Sequence, residues 1–252
     1  MSFKNKSALV TGATGGIGSA ICESFLENGV KNLAVLDRNS EESSIVYQWK
    51  IKYPESTIQY FAVDVRSDKE MAECYDVFMK DIENLDIVVN SAAIFNEQAY
   101  REVVDVNVSG VIGSTLLAIE HMRKDREGKG KGGSIVNISS CAVFQPVKCM
   151  PTYVATKHAV LGFMQSLAKD HDYMGIKFLT ICPGLTDTTF CLQETSQSIF
   201  FEEDNETTLK RLKSFYVQGP KTVADAVTEI IKTAKNGSVW TIQDDQLTEH
   251  NK

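Results

Sequence analysis

Ten residues near the amino end, TGATGGIGSA from Thr11 to Ala20, restrict what this chain can fold into more than any other stretch. Four of the seven residues from Gly12 to Gly18 are glycine, which loses more backbone freedom on ordering than any other residue. The apolar triplet Ala8-Leu9-Val10 precedes this segment, and the helix-patterned IGSAICESFLEN overlaps its end and continues the chain. Strand, glycine loop and helix in that order predict half of a parallel crossover unit, with the loop at the carboxyl edge of the sheet. There the helix amino terminus offers unpaired N–H groups and a positive dipole end, both suited to a phosphate.

The rest of the chain repeats the alternation. Apolar runs at 7–11, 32–37, 58–63, 85–90, 133–139, 176–182 and 238–242 are separated by segments of helical length and period. Continuous apolar strands between helices predict burial on both faces. The expected fold is therefore α/β, a single doubly wound parallel sheet of about seven strands with helices on both faces, spanning 1–252 as one domain.

Composition excludes several classes. A net charge of −7 argues against a nucleic-acid partner, and RKDREGKGKGG from Arg123 reads as a solvated loop. No apolar run approaches the ~20 residues that span a bilayer, so no membrane partner is expected. Six cysteines without a CxxC pair predict reduced thiols and a cytoplasmic location, and scattered His and Cys supply no metal framework.

No Lys-Ser or Lys-Thr follows the glycines, which rules out a P-loop. Gly12, Gly16 and Gly18 instead allow a tight turn, close phosphate approach and helix packing in a dinucleotide site. Asp37 ends the second strand 19 residues after Gly18, where a carboxylate accepts both ribose hydroxyls and repels a 2′-phosphate. The expected cofactor is NAD, although Arg38 beside it is a group that accommodates a 2′-phosphate.

The spacing TGxxxGxG, with Asp64-Val65, NSAA at 90–93, Asn107, Ser140, YVATK at 153–157 and PGLTDT at 183–188, resembles the short-chain dehydrogenase/reductase family. KNLAVLDR, PGLTDTT and NGSVWTI are similar to its insect-type alcohol dehydrogenase and 15-hydroxyprostaglandin dehydrogenase-like branch. The resemblance implies a Rossmann-type fold. It also implies cofactor contacts from Gly12, Thr14, Gly16, Ile17, Gly18, Asp37, Asp64, Val65, Asn90, Ala92, Tyr153, Lys157, Pro183, Gly184, Thr186 and Thr188. For Thr186 and Thr188 the alternative is a turn with satisfied hydroxyls. Ala93 stands where the family often has glycine.

The chemistry expected of YVATK has a physical basis. Tyr153 and Lys157, four apart, share one face of a helix. A phenol of pKa ~10 is a poor base at neutral pH, and a nearby ammonium favours its anion. Tyr153 then serves as general acid/base in hydride transfer between an alcohol and a carbonyl compound. Family spacing assigns Ser140 to the substrate oxygen, with Ser139 as the competing choice, and Asn107 to a helix interruption that holds a water in a relay to Lys157. His158 and Cys141 read as packed or surface residues.

Substrate identity is expected in the segment 187–219, which in this family forms a lid; an ordinary amphipathic helix is the even alternative. Phe95, Phe144, Val147 and Met150 predict an apolar pocket for a hydrophobic alcohol or carbonyl substrate. Excess apolar residues around 100–122 and 152–172 predict a homodimer paired through those helices. A non-catalytic NAD-binding or ligand-carrying protein is the alternative function.

Overall fold

The computed structural model describes residues 2–39, 41–126, 130–148, 150–169, 172–188 and 216–250. Most of the expected lid, 189–215, lies outside the described residues.

All seven expected strands form, and they carry these bounds: β1 Ser7–Thr11, β2 Asn32–Asp37, β3 Thr57–Ala62, β4 Ile87–Asn90, β5 Gly133–Ile138, β6 Ile176–Pro183 and β7 Val239–Gln243. An eighth, β8 Gln246–His250, adds an antiparallel edge to β7. The expectation of about seven strands missed it because QLTEH is largely exposed and has no apolar run. Its turn uses Asp244 and Asp245, at φ +53° and +57°, as a two-residue hairpin connection. Sheet order is β3-β2-β1-β4-β5-β6-β7-β8, so the chain reverses direction across the sheet between β1 and β4.

Helices α1 Gly16–Glu27, α2 Ser44–Lys52, α3 Asp68–Lys80, α4 Tyr100–Val104, α5 Val111–Met122, α6 Pro151–Leu167 and α7 Pro220–Thr233 cover the two faces. Alternation along each strand divides the core between them. Ala8 and Val10 face the layer of Phe25, Trp49 and Val227, whereas Leu9 faces Tyr75, Phe78 and Met164. Each such fully buried large side chain contributes roughly 1.5–3 kcal/mol, so both faces fix the register that carries the loops.

A π-helical turn, Asp105–Gly110, joins α4 to α5 and makes one run from Tyr100 to Met122. At 23 residues this run is long and apolar enough, by length and composition, to pass as a membrane span, although no continuous apolar stretch within it approaches that length. Individual apolar stretches within it are short; the length arises from joining them. Half of its most apolar window is buried within the fold.

Candidate active site

The carboxyl ends of the strands open onto a cleft of about 600 Å³ at the reversal between β1 and β4, the position where open α/β sheets bind ligands. One end is lined by Gly12, Thr14, Gly16, Ile17 and Gly18, with Asp37 beside them. Gly12 has φ +62°, and a Cβ there would stand 2.7 Å from Ala92 Cα. At Gly18 a Cβ would stand 2.1 Å from the Gly12 carbonyl oxygen. The glycines thus hold the start of α1 against β1, and Gly15, the residue before α1, has no side chain to cap it.

Asp37 accepts hydrogen bonds from the Thr14 amide (3.0 Å), the Thr14 hydroxyl (2.6 Å) and the Arg38 amide (2.8 Å). Asp64 lines the same end, and the guanidinium of Arg66, through Nε and Nη2, holds its carboxyl below the usual range. Arg66 escaped sequence reasoning, although its place two residues after Asp64 was a usable signal. Val65, Ala92, Pro183, Gly184, Thr186 and Thr188 also line the cleft. Thr186 is buried; its hydroxyl donates to the Gly184 carbonyl (3.0 Å) and accepts from Gln218 (3.3 Å). That side chain therefore satisfies its own turn while the residue lines the cleft. Ala93 adopts no positive φ, so the missing glycine causes no strain.

Asn90 is placed differently from the expectation of a cofactor contact. Its side chain lies behind the cleft wall, donating to Asn137 (2.7 Å) and Thr115 (3.1 Å), because it points away from the loop edge into the sheet–helix layer. Asn107 sits in the expected interruption, realised as the π-helical turn. Its amide accepts from Ile94 N (2.8 Å) and donates to Ile94 O (2.9 Å), which occupies the side chain in fixing the loop after β4.

The other end of the cleft carries the polar trio. Ser139 is buried and donates to the Lys157 carbonyl at 2.9 Å. Ser140 is half-buried, lines the cleft and accepts from the Ala142 amide at 3.2 Å, capping the turn Cys141–Val143. Of the two, Ser140 keeps its hydroxyl hydrogen available to the cleft. Tyr153 and Lys157 follow on α6, with the Lys157 ammonium 5.6 Å from the Tyr153 ring centre. Lys157 is buried, donates to the Ile138 carbonyl at 3.0 Å, and is pushed down by that burial to about 8. His158 turns outward onto the Val154 carbonyl, and burial raises the Cys141 thiol to about 12, so neither joins the trio.

Phe95, Val147 and Met150 pack with Tyr153 along the cleft, Phe95 meeting its ring edge-on at 5.7 Å. Phe144 does not line it. It is 41% exposed and stacks on His250 at 4.2 Å, drawn there by the unforeseen eighth strand. Sequence reasoning also missed Glu97, buried beside the start of α6. Among the described residues no group of three or more His, Cys, Asp or Glu is placed to hold a metal.

A family model described as short chain dehydrogenase matches residues 6–199. Mouse 15-hydroxyprostaglandin dehydrogenase [NAD(+)] is 32% identical over 254 residues, covering 96% of this chain and 91% of the relative. Alcohol dehydrogenase 1 of Ceratitis cosyra is 28% identical, covering 98% and 95%. In fold, the chain is similar to 3-ketoacyl-(acyl-carrier-protein) reductase from Brucella melitensis complexed with NADH. That match has a TM-score of 0.78 at 20% identity over 96% of this chain and 98% of that one.

Proposed function

This chain belongs to the short chain dehydrogenase family and is an oxidoreductase; on that premise, we propose that it uses NAD to interconvert a hydrophobic alcohol and its ketone or aldehyde. The observation that carries this reading is the meeting of Ser140, Tyr153 and Lys157 on one wall of a cleft whose far end is the glycine loop with Asp37.

The cradle suits a dinucleotide. Gly16, Ile17 and Gly18 bring the start of α1 to the cleft, where its first amides suit a phosphate, and the Asp37 carboxylate favours free ribose hydroxyls over a 2′-phosphate. Names of relatives agree, since the mouse enzyme's own name specifies NAD(+). The nicotinamide, when bound, supplies the hydride acceptor for oxidation or the donor for reduction. Tyr153 takes the alcohol proton as the C–H hydride leaves, and returns a proton to the carbonyl oxygen in reverse. Ser140 donates a hydrogen bond to that oxygen. Lys157, while protonated, favours the phenolate, its ammonium lying 5.6 Å from the centre of that ring. Phe95, Val147 and Met150 favour an apolar secondary or long-chain substrate.

A homodimer belongs to the same proposal. Tyr100, Val104 and Leu116 are exposed on the run from Tyr100 to Met122, and a second copy paired through that run and the helix around 152–172 would cover them.

The test mixes protein and NAD with secondary and long-chain alcohols and follows absorbance at 340 nm. NADH should form with the wild type, and Tyr153→Phe should lower kcat by roughly 10²–10⁴-fold with NAD binding retained. NAD binding without turnover across the panel would instead favour a binding or carrier protein.

A further inference from the structure

Helix α6 begins without a cap of its own, since Met150 makes no side-chain hydrogen bond to it. Its first amides are nevertheless occupied. Glu97, only 2% exposed, accepts from Thr152 N through Oε2 (2.8 Å) and from Tyr153 N through Oε1 (2.9 Å). A buried carboxylate is costly unless paired, and here its described partners are two backbone amides at the positive end of a helix dipole.

The segment bearing Glu97 is itself fixed. The Thr11 hydroxyl accepts the Ser91 and Ala92 amides, Asn107 holds both polar groups of Ile94, and Asn96 Oδ1 accepts the Gln98 amide. Further along α6, Ser139 and Ile138 anchor the backbone and side chain of Lys157. Tyr153 lies on the first turn, where the Thr156 hydroxyl, accepting from Asn107 Nδ2 at 3.3 Å, donates to its carbonyl at 2.7 Å.

We propose that Glu97 is a positioning residue for the reaction: by gripping the amides of Thr152 and Tyr153, it sets the phenol's place relative to Lys157 and Ser140. This rests on the dehydrogenase reading above. Phe95, two residues earlier, touches the Tyr153 ring, so the same loop fixes both the backbone and the ring of the tyrosine.

The isosteric Glu97→Gln tests the idea, because its amide nitrogen must face one of the two N–H donors. It should lower kcat by roughly 10–100-fold while leaving the NAD dissociation constant within about twofold, since misplacement harms chemistry rather than cofactor binding. Glu97→Asp, which keeps the charge, should fall between wild type and Glu97→Gln. Hydrogen exchange at Thr152 and Tyr153 should quicken in Glu97→Gln. Wild-type kcat in Glu97→Gln despite a lowered Tm would reduce the residue to a structural cap and overturn the proposal; so would Glu97→Asp falling below Glu97→Gln. A wild type that forms no NADH overturns the dehydrogenase reading instead, and unchanged exchange at the two amides then overturns the grip itself.

Discussion

The amino termini of α1 and α6 border the same cleft and solve the same problem in opposite ways. Neither has a side-chain cap from its own preceding residue, which is glycine in one case and methionine in the other. At α1 the chain removes side chains and leaves the first amides without a side-chain cap. At α6 it brings in its own buried anion, Glu97, across 56 residues of sequence. A helix end left open is suited to an incoming ligand, whereas one closed internally is suited to holding a side chain still. Changes at α1 should therefore alter cofactor affinity, and changes at α6 should alter turnover.

Lys157→Met gives the largest expected separation. Loss of the ammonium should reduce kcat by roughly 10²–10⁴-fold, a larger effect than the loss of NAD affinity from the cofactor contact expected of Lys157. Stability should move the other way. Burial lowers Lys157 from 10.5 to about 8, so the unfolded chain holds the proton more tightly than the folded one. The penalty is full below about pH 8 and is relieved as pH rises towards 10.5. At pH 7 methionine should raise stability by ~1–3 kcal/mol, visible as a higher Tm, and the wild type's gain at alkaline pH should vanish in the variant. A variant no more stable at pH 7 would mean that the Ile138 hydrogen bond outweighs the cost of burial.

Gly18→Ala probes the open end. The new Cβ would meet backbone, 2.1 Å from the Gly12 carbonyl oxygen, so the loop must shift rather than a flexible side chain. The NAD dissociation constant should rise roughly 10–100-fold, equivalent to ~1.4–2.8 kcal/mol, with a lowered Tm. Calorimetric titration that finds unchanged affinity would break the contrast between the two helix ends.

How much of this was readable beforehand follows the reach of each contact. The glycine loop, Asp37 and the Tyr153–Lys157 pair are local patterns, and local geometry suffices to place them on a strand end or one helix face. Glu97 carries no such signal, because its partners become neighbours only when the loop after β4 meets the helix after β5. Asn90 illustrates the same limit from the other side: adjacency in NSAA does not tell which residue turns inward, and pairing with Asn137 on β5 decides it. Phe144 was misassigned for want of β8, an exposed polar strand whose aspartate turn differs from the glycine-bearing hairpin signals.

Thr14→Ala carries the smallest expected effect and the most delicate sign. The Thr14 hydroxyl and amide both reach the same oxygen of Asp37, at 2.6 and 3.0 Å, while Arg38 N takes the other oxygen. A carboxylate offers about four acceptor positions, so three are already engaged before two ribose hydroxyls arrive. Removing the hydroxyl leaves the backbone amide to hold the carboxylate in place and frees one position for ribose. NADH affinity should therefore tighten by up to ~1 kcal/mol, about fivefold, with kcat unchanged, as read by NADH fluorescence titration. Weakening instead would show that the hydroxyl orients Asp37 for its ligand, giving α1 an internal brace like the one Glu97 gives α6.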